Sequence, residues 1–168
     1  MRTELAVAAL GIMALVASAQ LVAQIVPTGP QNRAANQPQA VAYLFPEQVT
    51  VAAGKPSPVA LHFRVTAGLH INSHTPSGNS LIATTFSIPA GSGVRLDAAS
   101  YPPGAAIALP LDPKTKLSVY TGDFVVQARI VTAPGNHLVQ GTLRYQACDN
   151  RECMPPRTIT VPIDVIGR

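Results

Sequence analysis

Tryptophan is absent from this chain, and only eight residues carry a carboxylate side chain. With so few acids, and no pair of them set at strand ends, acid–base hydrolysis has little to stand on. Charged side chains amount to 12% of the residues. The basic ones are scattered: Arg64, Arg95, Lys114, Lys116, Arg129, Arg144, Arg151, Arg157 and Arg168 form no run and no aromatic-interleaved patch. A nucleic-acid surface concentrates its charge, so the net charge of +4 describes a mildly basic surface and excludes nucleic acid as an expected partner. Neither a nucleotide-binding glycine loop nor a G-x-S-x-G elbow occurs. After Gln39 no stretch of ten residues or more has a helical period. Cysteine is nearly missing too, with two residues in all.

What is present is β-pattern. The 168 residues make one domain's worth, and 47% of them are apolar, enough to bury a real core. Sixteen prolines and twelve glycines point to short strands separated by turns. Val59, Leu61, Phe63 and Val65 share one parity, with His62 and Arg64 on the other. The same alternation runs through Phe124, Val126, Ala128 and Ile130, through Val139, Gly141, Leu143, Tyr145 and Ala147, and through Ile159, Val161, Ile163 and Val165. Period two repeated between Gly/Pro turns predicts an all-β fold: an immunoglobulin-like antiparallel β-sandwich of seven or more strands.

The N-terminus, "MRTELAVAALGIMALVASAQLVAQIV", has the layout of an export signal. Arg2 supplies a weak positive start and Leu5 to Val16 an apolar run. Ala17-Ser18-Ala19 offers the small-x-small pattern of a cleavage site. The expected signal peptide is residues 1–19, cut before Gln20, with a cut before Gln24 as the alternative. Left uncut, residues 5–26 are long enough to anchor the chain in a bilayer. No cysteine near the cut would allow a lipid anchor. Residues 20–39, polar and proline-bearing, read as a flexible linker, and residues 40–168 as the folded domain. In either case that domain is expected in an oxidising compartment, where two cysteines can pair.

Both cysteines fall in "RYQACDNRECMPPRTITVPI", Arg144 to Ile163. Four residues separate Cys148 from Cys153, and Pro155-Pro156 follow. The pair brackets "DNRE", a turn-prone loop joining the last two strands, and can reach disulfide geometry without moving the sheet. By parity Cys148 shares the polar face of Arg144 and Gln146, at an accessible strand end. A bond closing so short a loop stabilises by about 2 kcal/mol or less, which suits a redox switch as well as a structural staple. Arg151 would favour a thiolate, while Asp149 and Glu152 would oppose it. The residues alone leave two readings open: a dithiol that exchanges with a docked partner, or an immunoglobulin-like binding or assembly module with an inert disulfide.

The segment "YQACDNRECMPPRTITVPI", with "GLHINSHTP", "LIATTFSIP" and "YPPG…LSVYTGDFVV" upstream in the same order, resembles the N-terminal periplasmic domain of the thiol:disulfide interchange protein DsbD. The resemblance runs from about Val41 to Val165. It implies an immunoglobulin-like fold in which Cys148 and Cys153 carry reducing equivalents from a membrane-embedded electron donor to periplasmic thioredoxin-fold proteins. It prefers Cys153 as the sulfur that bonds to partners, with Met154 helping to form the docking surface. It places His70 and Asn72 beside the cysteines, against the alternative of two surface residues at a strand end, and gives supporting positions to Tyr145, Arg151 and Pro155. A cap loop that shields the disulfide would fall within Tyr101 to Lys116, with Leu109 and Leu111 as candidate shields. Full-length relatives continue into membrane and thioredoxin domains, so this chain is expected to be a stand-alone version, a fragment or a partner of separately encoded components, and a monomer. No cofactor is expected. A copper or zinc site at His70, His74 and the thiols would need spacing that "HINSH", a strand entering a turn, does not provide.

Overall fold

The computed structural model describes residues 39–44, 48–109 and 112–168. The expected signal and, apart from Gln39, the expected linker lie outside the described residues. Twelve strands follow in order: β1 (Val41–Tyr43), β2 (Gln48–Val51), β3 (Ser57–Val65), β4 (His70–Asn72), β5 (Thr85–Ser87), β6 (Val94–Ser100), β7 (Ala105–Leu109), β8 (Asp112–Tyr120), β9 (Asp123–Thr132), β10 (Gly135–Tyr145), β11 (Ala147–Cys148) and β12 (Arg157–Gly167). No described residue is helical. The all-β, immunoglobulin-like sandwich expected from the alternation is what the chain forms.

The strands make three four-stranded sheets, ordered β1-β3-β9-β6, β2-β12-β10-β5 and β11-β4-β8-β7. Every pairing is antiparallel except β2 with β12. The longest ladder joins β10 to β12 over eleven residue pairs, from Gly135↔Gly167 to Tyr145↔Arg157. Alternation dictates which side chains fill the interior. Val59, Leu61, Phe63 and Val65 of β3 are buried, as are Phe124, Val126, Ala128 and Ile130 of β9. Val139, Leu143 and Tyr145 of β10 and Val161, Ile163 and Val165 of β12 complete a core that also takes in Ile71, Tyr120 and Ala147 of the third sheet. Phe63 stacks on Phe124 with ring centroids 5.2 Å apart.

Two passages from one sheet to another place the cysteine-bearing end of the molecule. β8 passes to β9, in a different sheet, through Thr121 and Gly122. Gly122 has φ 58°, a left-handed conformation that glycine adopts without steric penalty. The second is the exit of β10. At Gln146 the chain leaves the ladder with β12 and, as β11, joins β4 instead.

Candidate functional site

Cys148 and Cys153 form a disulfide, with Cα atoms 4.0 Å apart. The backbone explains why they meet. Met154 N donates to Ala147 O at 2.8 Å and Asp149 N to Glu152 O at 3.0 Å, which makes Cys148 and Cys153 a non-hydrogen-bonded antiparallel pair, the register that brings facing side chains closest. The loop between them is tied by Asp149, whose Oδ1 accepts from Arg151 N at 2.7 Å and Glu152 N at 2.8 Å. Those two hydrogen bonds hold the Asp149 carboxyl below the usual carboxylate range. Pro155 and Pro156 then delay pairing until β12 begins at Arg157.

Cys148 does not follow the parity of β10. Cys148 is 1% exposed, not on a polar, accessible face, whereas Cys153 is exposed. Alternation predicts facing only while a strand stays in one sheet. Because the chain changes sheets at Gln146, Ala147 and Cys148 are both buried.

Gln146 organises this crossing. Its Oε1 accepts from Asn72 Nδ2 at 3.0 Å and from Ile82 N at 3.1 Å, and its Nε2 donates to Met154 O at 3.3 Å. Asn72 Nδ2 also donates to Ile82 O, and Thr84 Oγ1 donates to Asn72 O at 2.6 Å. Gln146 was not a sequence-level candidate. Nothing in the periodicity singles it out, because it follows the polar parity of Thr142 and Arg144.

His70 is the residue opposite Cys148 in the β4–β11 pairing. It is 4% exposed, and Asn72 is fully buried, so the reading of both as surface residues is overturned. The reason is again the crossing, since β11 covers β4 on one edge and β8 on the other. Burial pushes the His70 pKa down, with the nearby Asp149 carboxylate opposing. Its Nε2 is buried without a hydrogen-bond partner among the described residues.

The remaining candidates separate. Arg151 and Pro155 are exposed on the loop and its exit. Tyr145 is fully buried in the core, on the inward parity it shares with Leu143. The proposed cap segment forms the β7–β8 hairpin, whose first strand ends at Leu109, while Leu111 lies outside the described residues. The hairpin's base is pinned by Tyr120, whose hydroxyl donates to Pro102 O at 3.0 Å and accepts from His74 N at 3.1 Å. Ile107 of β7, not a sequence-level candidate, lines an open cleft of about 550 Å³ together with His70, Leu69, Thr121 and Asn150 of the cysteine loop. His74 stacks on Tyr101 at 3.9 Å, and its Nδ1 faces Thr84 O. No group of three or more metal-ligating side chains occurs among the described residues.

A site of this kind can open and close one S–S bond, with one cysteine offered to the outside and the other held in the protein. The chain is similar to the N-terminal domain of DsbD from Neisseria meningitidis in its reduced form, at 17% identity and a TM-score of 0.45, over 68% of this chain and 82% of that one. No curated protein matches it. The family described as "Thiol:disulfide interchange protein DsbD, N-terminal" matches residues 38–164, a span holding both cysteines, His70 and Gln146, and the chain belongs to that family.

Proposed function

We propose that the domain exchanges disulfides in the periplasm, taking electrons from a membrane-embedded DsbD-type donor and passing them to thioredoxin-fold proteins through Cys148 and Cys153. The observation that carries this reading is the asymmetry of the bonded pair: Cys153 is exposed and Cys148 is 1% exposed. Exchange proceeds through a mixed disulfide, so one sulfur must meet the partner while the second resolves the bond from behind. Cys153 takes the first role and Cys148 the second. Export through the N-terminal signal would bring the domain to that compartment. The β7–β8 hairpin, with Ile107 facing the same cleft as the cysteine loop, serves as the cap that a docking partner displaces, and Met154, half-buried beside the loop, contributes to the docking surface.

A glutathione redox titration tests the function, with the cysteine state read by alkylation and mass, and the fold by circular dichroism. A midpoint accessible to periplasmic exchange partners, with the β signal retained, is expected. A bond that opens only below about −300 mV, or only with loss of the β signal, would leave an inert staple in a binding module.

A further inference from the structure

Once Cys153 is joined to a partner's sulfur, Cys148 must lose its proton and attack. A thiol buried in apolar surroundings ionises less readily than one in water, and Cys148 is buried. We infer that His70 is the general base that takes the proton from the Cys148 thiol as it attacks the mixed disulfide at Cys153, an inference that rests on the exchange function proposed above.

The first support is register. Asn72 N donates to Gln146 O at 3.2 Å, so Ile71 and Ala147 are a non-hydrogen-bonded pair and the next pair, His70 and Cys148, is the hydrogen-bonded one. Directly opposed residues project to the same side of the sheet with Cβ atoms about 5 Å apart, within reach of an imidazole. The second is the orphaned Nε2. Buried polar atoms are rarely left unpaired, and those that are ask for an explanation. A disulfide sulfur is a poor partner for it, whereas the thiol formed on reduction carries a proton to share. The bond that His70 lacks is one that reduction supplies.

The third is electrostatic. Burial keeps the imidazole neutral and able to accept a proton, and Asp149 favours the imidazolium once formed. Arg151, exposed on the loop, acts on Asp149, and two other ionisable groups nearby are engaged elsewhere. Arg64, which lines the same cleft, is bonded to Asp123 through Nε at 2.6 Å and Nη2 at 2.8 Å. Tyr120 on the adjacent β8 donates its hydroxyl to Pro102 O.

The step balances. The Cys148 S–H proton passes to His70, and the sulfur's electron pair forms the Cys148–Cys153 bond. The bond between Cys153 and the partner's sulfur breaks, and its electron pair leaves with the partner as a thiolate. The imidazolium proton returns to that thiolate, or to water through the cleft that His70 lines. The domain's two thiols are oxidised by two electrons, and the partner's disulfide is reduced by the same two.

Stopped-flow reaction of the reduced protein with 5,5′-dithiobis(2-nitrobenzoate) separates the steps. The first burst of thionitrobenzoate reports attack by Cys153, and the second reports resolution by Cys148. In the parent the second burst should be nearly flat from about pH 6.5 to 8, because a neutral base is already in place. In His70→Phe it should be at least about 10²-fold slower at pH 7 and rise about tenfold per pH unit, following thiol ionisation, while the first burst persists. His70→Gln, which keeps the polar contact but cannot take up a proton, should behave like His70→Phe and guards against misfolding of the latter. Added imidazole should restore the second burst in His70→Ala. A second burst that keeps its pH profile in the variants, whether at full rate or slowed equally at every pH, would overturn the assignment. No thionitrobenzoate release from the reduced parent would instead remove the exchange function, and this inference with it.

Discussion

Asn72 Nδ2 donates to Gln146 Oε1 across 3.0 Å, joining β4 to the point where the chain leaves one sheet for another. The same Gln146 oxygen takes Ile82 N, and its amide reaches Met154 O beyond the second cysteine. One side chain thus holds the crossing that buries Cys148 and the strand that presents His70. Gln146→Ala would leave Ile82 N and the Asn72 amide short of a partner. Unmet buried groups cost about 1–3 kcal/mol, and a loss of that size is expected in urea unfolding. Reduced Cys148 should also become more readily alkylated, since its cover depends on the crossing. An unchanged alkylation rate would mean that the sheets hold the crossing without Gln146.

The two cysteines should differ in reactivity. With Cys148→Ser, the exposed Cys153 should form a mixed disulfide with glutathione readily and trap thioredoxin-fold partners. With Cys153→Ser, the remaining buried thiol should react about tenfold more slowly or worse, reactivity following exposure. Iodoacetamide alkylation followed by mass spectrometry measures both. Equal rates would contradict the division of roles between them.

Reducing the disulfide should cost little. The bond spans five positions, and closing so short a loop is worth about 2 kcal/mol. Urea unfolding of the oxidised and reduced protein should therefore give midpoints that lie close together, with the same denaturant dependence. Collapse of the β signal on reduction would show that the bond carries the fold.

Gly141 sits inward on β10, where an added Cβ would lie 2.8 Å from Phe86 Cε2 and 3.1 Å from Val161 O. Phe86 is buried and the other neighbour is backbone, so little can give way. Gly141→Ala should destabilise by about 1–3 kcal/mol through overpacking, read from the shift in unfolding midpoint. A neutral effect would show that β5, which carries Phe86, yields easily.

Asp149 links loop order to pH. Its carboxyl is held below the ordinary range by the Glu152 and Arg151 amides. A depressed folded-state pKa means that the contribution is complete above the unfolded-state value and is lost as pH falls through the folded one. The loop should accordingly stay ordered at neutral pH and loosen only in acid. The amide resonances of Arg151 and Glu152 should titrate with a midpoint below that of an ordinary aspartate. Asp149→Asn, which keeps an acceptor oxygen without the titration, should abolish that shift.

The amino-acid sequence by itself determined the long strands, the apolar interior they share and the disulfide. Alternating residues such as Val59, Leu61 and Phe63 have only one way to bury an apolar face on a pleated strand, so β3, β9, β10 and β12 were legible. The pairing of Cys148 with Cys153 was legible for a local reason, because the chain between them is too short to separate them. Only the tertiary structure decided how the site is covered. Residue parity describes a strand within one sheet, and Cys148 lies just past the point where the chain exchanges β12 for β4. Burial of Cys148, His70 and Asn72, and the bonds that Gln146 makes to Asn72 and Ile82, arise from contacts between segments far apart in the chain. Such contacts follow from how three sheets close on one another, which no periodicity within a single strand can express.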